Sequence, residues 1–173
     1  MTTDDILYNA LPFYHANGGI RSTYTFILGC TNVIKKKFSA SRYMEDCCRY
    51  KVTVINYIGE VCRYLLAQPK RDFDVRNSIR IATGNGLRAS IWTEFQERFH
   101  IGKIVEIYGS TEGNVAMANI DGKVGAIGFS FIVFPFLNSA KIIKVDKETG
   151  WLNILFRESY LYIYPKRKRR ALL

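Results

Sequence analysis

The stretch IRIATGNGLRASIWTEFQERFHIGKIVEIYGSTEG, residues 79–113, carries the pattern from which the fold is read. Ile79 to Thr83 reads as a buried strand that runs into Gly84-Asn85-Gly86. Ile91, Trp92, Phe95 and Phe99 then recur at helical spacing and predict one apolar helix face. Ile104 to Tyr108 is the next strand, and it ends in Gly109-Ser110-Thr111-Glu112-Gly113. A strand, a helix and a second strand in so short a span predict a parallel pair with the helix packed across one face.

The same alternation extends toward the N-terminus. Tyr24 to Cys30 reads as an apolar helix closing at Gly29, and Asn32 to Ile34 as a short strand before the triplet Lys35, Lys36 and Lys37, which is expected on a solvated face. Ser39 is a candidate N-cap for a helix whose Tyr43, Met44, Cys47, Cys48 and Tyr50 form a stripe expected to pack in the core. Val52 to Tyr57 is a β-branched strand. Gly59 opens a helix with Val61, Cys62, Leu65 and Leu66 on one side, and Pro69 to Asn77 is a polar loop.

After Gly109 the helices stop. Val115 to Ile120, the Asp121-Gly122 turn and Ala140 to Val145 predict antiparallel strands. The uncharged run from Val124 to Ala140 is broken by Gly125, Gly128 and Pro135, which favours strand pairing over a membrane span. The predicted class is therefore α/β: a partial parallel sheet with covering helices, followed by antiparallel strands.

Composition narrows the function classes. The 173 residues are 48% hydrophobic and 14% aromatic, enough apolar material for a core, so overall disorder and a polytopic membrane protein are both excluded. The net charge of +10 draws five charges from the cluster Lys166 to Arg170, which reads as a solvated tail. Without a basic face elsewhere, nucleic acid is not expected as a partner. Cys30, Cys47, Cys48 and Cys62 have no CxxC spacing, and the Met-Thr-Thr-Asp-Asp opening has neither the basic nor the apolar region of a secretory leader.

In an open parallel sheet, ligands bind beyond the carboxyl ends of the strands. Two consecutive strand ends here carry chemistry suited to a nucleotide. Glycines let a flat or anionic ligand reach the backbone, Tyr108 offers a ring for stacking on a base, Thr111 offers a hydroxyl for phosphate, and Glu112 offers a carboxylate for magnesium. Each feature alone is weak, but Tyr108-Gly109-x-Thr111-Glu112 one helix after Gly84-Asn85-Gly86 is specific.

The string Ile107 to Asn114 resembles the adenylate-binding motif of the AMP-forming acyl-CoA synthetases. Leu11-Pro12-Phe13-Tyr14-His15, Lys36 to Arg42, Tyr57-Ile58-Gly59-Glu60 with Cys62-Arg63-Tyr64-Leu65, and Gly84 to Arg88 resemble more narrowly the fatty acid transport proteins, also called very long-chain acyl-CoA synthetases. The resemblance implies that residues 1–150 are part of the adenylate-forming N-terminal domain, while 151–173 match nothing recognised.

It further implies two half-reactions. A fatty acid carboxylate attacks the α-phosphorus of ATP to give acyl-adenylate and pyrophosphate, and the thiol of CoA then displaces AMP. On this resemblance Gly84, Asn85, Gly86 and Tyr108 flank adenine, Gly109, Ser110 and Thr111 belong to the same nucleotide loop, Thr111 contacts phosphate, and Glu112 binds Mg2+. His15 takes a positioning role near the reacting groups, while Tyr57, Ile58 and Gly59, at another strand's carboxyl end, are candidates either for the wall of the acyl tunnel or for packing alone.

The resemblance also implies membrane association at the endoplasmic reticulum, plasma membrane or peroxisome, and allows a homo-oligomer. The family's Ser/Thr/Gly-rich phosphate loop ending in Pro-Lys does not occur among the 173 residues, nor does the later Gly-Asp motif. The 173-residue chain is therefore expected to be inactive alone, with exposed sheet edges and apolar helix faces. The alternative reading is a non-catalytic interaction role, binding full-length synthetase or an anionic membrane surface through Trp151 to Arg170.

Overall fold

The computed structural model describes residues 1–109 and 116–129, together with the two short strands Lys144–Val145 and Leu152–Asn153. Its centre is a six-stranded sheet in the order β2-β1-β3-β4-β5-β6. The strands are β1 (Ile6–Asn9), β2 (Thr31–Ile34), β3 (Val54–Ile58), β4 (Ile81–Asn85), β5 (Lys103–Tyr108) and β6 (Met117–Asn119). The first five are parallel, and β6 runs antiparallel to β5, pairing Glu106 with Asn119 and Tyr108 with Met117. The change from parallel to antiparallel falls after Tyr108, as the loss of helical spacing predicts. The strands β7 (Lys144–Val145) and β8 (Leu152–Asn153) form a separate antiparallel pair.

Strand β1 escaped the sequence reading. Its four residues are too few to show a period, yet they sit centrally between β2 and β3. The start of β1 is fixed by a charge. Asp5 accepts hydrogen bonds from Thr53 Oγ1 at 2.7 Å, Arg80 Nε at 2.8 Å and the Thr2 amide at 2.7 Å, so one buried carboxylate ties together the beginnings of β1, β3 and β4.

Helices α2 (Ala40–Arg49), α3 (Gly59–Leu66) and α4 (Ala89–Arg98) supply the main core, where Tyr43, Cys47, Cys62, Leu65, Trp92 and Phe95 pack with Tyr8, Ile55 and Ile104 of the sheet. The stripe on α2 is narrower than its spacing suggests. Tyr43, Met44 and Cys47 are buried, but Cys48 is only partly covered and Tyr50 is exposed. Asp46 is buried instead, because it accepts from Tyr8 Oη at 2.8 Å and pairs with Lys35 Nζ at 2.6 Å. Lys35 therefore leaves the solvated triplet expected of it, whereas Lys36 and Lys37 are exposed. Ser39 occupies the N-cap position of α2 without a side-chain capping bond.

Helix α1 (Ala16–Leu28) begins earlier than its apolar half indicates and ends at Gly29, whose φ of 68° meets the left-handed conformation of a helix C-cap. Ile20, Tyr24, Phe26 and Ile27 on α1 are exposed, as is Ile34 on the edge strand β2. These are the uncovered helix face and sheet edge that the sequence leads one to expect. Among the described residues no helix is long and apolar enough to cross a membrane.

Candidate nucleotide site

Parallel registration brings the carboxyl ends of β3, β4 and β5 side by side. Tyr57 pairs with Gly84, Ile58 with Asn85, and Gly84 with Glu106, so Tyr108 projects two residues beyond the end of that ladder. Neighbouring strands lie about 4.8 Å apart, so the Gly84-Asn85-Gly86 loop and Tyr108 belong to adjacent strand ends. Tyr108 is 54% exposed, and Asn85 and Gly86 are exposed as well.

The glycines are required by close backbone approach. A Cβ on Gly84 would lie 2.1 Å from the carbonyl oxygen of Tyr57, and one on Gly59 would lie 1.9 Å from that of Gly86. Gly86 itself has φ 82°. The loop at the end of β4 is thus folded tightly over the start of α3, with no room for a side chain at Gly59 or Gly84 and a left-handed backbone at Gly86.

Glu106 holds that shape, and the sequence reading passed it over. Buried on β5, it accepts from Tyr57 Oη at 2.6 Å on one carboxylate oxygen and from the amides of Gly86 and Leu87 on the other. Burial pushes its carboxyl above the ordinary range, against the pull of these three donors. The signal was legible: the alternation that buries Ile104 buries residue 106 as well, so a charge at 106 falls on the core side.

Glu106 also fixes the place of Tyr57. Its ring is fully buried, stands 6.3 Å from Phe95 and turns its hydroxyl to Glu106. It is a packing and hydrogen-bonding residue of the core.

The turn before α1 reaches the same place. His15 caps the helix, and its Nδ1 accepts the Asn17 amide at 3.2 Å. Asn17 Nδ2 donates to Tyr57 O at 2.8 Å and to Asn85 Oδ1 at 3.0 Å, bridging the ends of β3 and β4. His15 is therefore carried to the mouth of the loop and is exposed there. With Nδ1 used as an acceptor, the neutral ring keeps its proton on Nε2 and can donate it to an oxygen of a ligand.

His15, Gly84, Asn85, Gly86, Tyr108 and Gly109 are thus placed at one end of the sheet. Ser110, Thr111 and Glu112 lie outside the described residues, as do the tail residues 154–173. Among the described residues no group of three or more His, Cys, Asp or Glu side chains is gathered to hold a metal.

A family model described as "AMP-binding enzyme" matches residues 1–151. The chain belongs to this AMP-binding enzyme family. Within it, the chain is 49% identical over 150 residues to long-chain fatty acid transport protein 1 of Bos taurus, and 44% identical over 155 residues to long-chain fatty acid transport protein 6 of Mus musculus. These matches cover 86% and 88% of the chain but only 23% and 25% of the relatives' lengths. Among solved structures, ATP-bound MatB from Rhodopseudomonas palustris matches with a TM-score of 0.67 at 24% identity, over 88% of this chain and 30% of that one. The likeness establishes the sheet and its helices as part of the adenylate-forming fold.

Proposed function

We propose that this AMP-binding chain forms the adenine-facing part of a long-chain or very long-chain fatty acid-CoA ligase that couples activation to fatty acid uptake. The observation that carries the reading is the loop Gly84-Asn85-Gly86, locked by Glu106 beside an exposed Tyr108 and the capping His15. An accessible backbone at glycine and an exposed aromatic ring are the two surfaces against which a purine packs and stacks.

In the reaction, the fatty acid carboxylate attacks the α-phosphorus of ATP and the bond to pyrophosphate breaks. The sulfur of CoA then attacks the acyl carbonyl and AMP leaves. A carboxylate needs no general base, so the work falls to positioning and charge neutralisation. His15 Nε2–H is suited to orienting an oxygen of the reacting pair, Tyr108 to stacking on adenine, and Thr111 to contacting phosphate with the rest of its loop. Glu112 is the residue proposed to hold Mg2+, which would neutralise the phosphates when bound.

Fatty acid, ATP and CoA are the proposed substrates of the whole enzyme, at a membrane surface. The 173 residues lack the phosphate-binding loop, so this chain alone is proposed to bind the AMP moiety without turning over. Amide NMR with AMP tests this. Shifts at Gly84 to Gly86 that weaken at least tenfold in Tyr108→Ala, with no fatty-acid-dependent ATP–pyrophosphate exchange, are expected. AMP shifts that spare this loop would refute the site, and exchange lost in Glu112→Ala would show that the chain suffices for chemistry.

A further inference from the structure

Among the described residues, Arg98 and Arg21 are both largely withdrawn from solvent, and they are treated very differently by their surroundings. Arg98 pairs with Asp74 at 2.9 Å and donates to the carbonyls of Leu66 and Gln68, so its charge and its donors are matched. Arg21, on the sheet-facing side of α1, makes one hydrogen bond, from Nη2 to Thr83 Oγ1 at 2.9 Å. The ion pairs among the described residues join Lys35, Arg63, Arg76, Arg80 and Arg98 to carboxylates, and none of them includes Arg21. Burial lowers its pKa, with only the tyrosines at 24 and 57 opposing.

A second unmet group lies beside it. Thr83 on β4 pairs in register with Asn56 on β3, which places the two side by side on the face that α1 covers. Asn56 is 1% exposed. Its Nδ2 donates to Asn17 O at 3.0 Å, which fixes the orientation of the amide, and its Oδ1 is buried with no partner. A multiple donor held by Thr83 and, on the neighbouring strand, an acceptor without a partner therefore lie in one region between α1, β3 and β4. Each is costly to leave unmatched where it is buried.

The spot has a definite relation to the proposed reaction centre. Arg21 follows His15 by six residues, about 9 Å along the helix axis, and Thr83 immediately precedes the Gly84 loop. With the reacting carboxylate held at His15, as proposed above, a group several carbons along the acyl chain spans that same length. A plain hydrocarbon there would seal both polar groups from water without satisfying either. A single hydroxyl accepts from the guanidinium and donates to the amide oxygen.

We propose that Arg21 and Asn56 form a recognition site for a hydroxyl group on the acyl chain, so that the preferred acid is a hydroxylated one. The proposal rests on the nucleotide-site reading above and adds the chemical class of the acid.

The test is an amide NMR titration of the 173-residue chain with 6-hydroxyhexanoate, hexanoate and adipate, in the parent and in Arg21→Met, with AMP titrated separately. The expected result is that the hydroxy acid shifts Thr83 and Asn56 with at least threefold tighter binding than either other acid. That preference should vanish in Arg21→Met. The variant should also melt at or above the parent temperature, since it loses a charge that lacks a partner. Equal binding of the three acids, absence of binding, tighter binding of adipate, or a lower melting temperature for Arg21→Met each overturns the proposal. If AMP still shifts Gly84 to Gly86 in that case, the nucleotide reading stands and only the acid class falls. If AMP fails as well, the reading beneath it has failed.

Discussion

Replacing Asp5 with Asn perturbs the one charge that gathers three strand starts. Burial alone would raise the Asp5 carboxyl, but hydrogen bonds from Arg80, Thr53 and Thr2, aided by the Arg80 charge, bring it down from 3.8 to about 2. The gap of just under two pH units, at about 1.4 kcal/mol per unit, makes the ionised form worth about 2.5 kcal/mol of folding stability. Because the folded value is depressed, this contribution is fully present above the unfolded value and disappears as pH falls through the folded one. Urea unfolding followed by tryptophan fluorescence at intervals from pH 7 to pH 2 reads it directly, since Trp92 is fully buried. Asp5→Asn should be less stable than the parent at pH 7, and the difference should shrink by about 2 kcal/mol between pH 5 and pH 2. A difference that stays constant across that range would refute the electrostatic account and leave only a packing role for Asp5.

Gly84→Ala drives a methyl against the Tyr57 carbonyl and should cost on the order of 1–3 kcal/mol while weakening AMP binding, read by thermal melting and by the AMP titration. Glu106→Ala strands the amides of Gly86 and Leu87, so AMP affinity should fall about tenfold or more, with Glu106→Gln recovering most of it because an amide oxygen still accepts from them. Equal loss in both Glu106 variants would show that the charge, not the hydrogen bonds, shapes the loop. The pH sign at Glu106 is opposite to that at Asp5. Burial favours its protonated form, so its contribution is largest in acid and is lost as pH rises through its elevated folded value, and the Gln variant should lack that loss in urea melts.

Local pattern was enough to read most of this protein. The apolar spacing of Trp92, Phe95 and Phe99 marked α4, the β-branched run before Ile58 marked β3, and the glycines after Thr83 marked a strand end where a ligand meets backbone. Those features depend on periods of two and 3.6 residues and on the conformational freedom of glycine, and both are written in short stretches of chain. The motif around Tyr108 carried the family in the same way.

What the tertiary structure alone decided are the partnerships over long sequence distances. Nothing near Tyr57 in the chain shows that its hydroxyl meets Glu106, that Asn17 bridges the ends of β3 and β4, or that Lys35 finds Asp46. β1 is only four residues long and was visible only once its neighbours enclosed it. The physical reason is common to these cases. A buried polar group has to be matched by whatever donor or acceptor the packed elements bring to it, and sheet register, which local periodicity leaves undetermined, decides which one that is. The sequence determined which groups were available at the strand ends, while the register of β3, β4 and β5 brought Gly86 and Tyr108 to one end of the sheet and the Asn17 bridge carried His15 there.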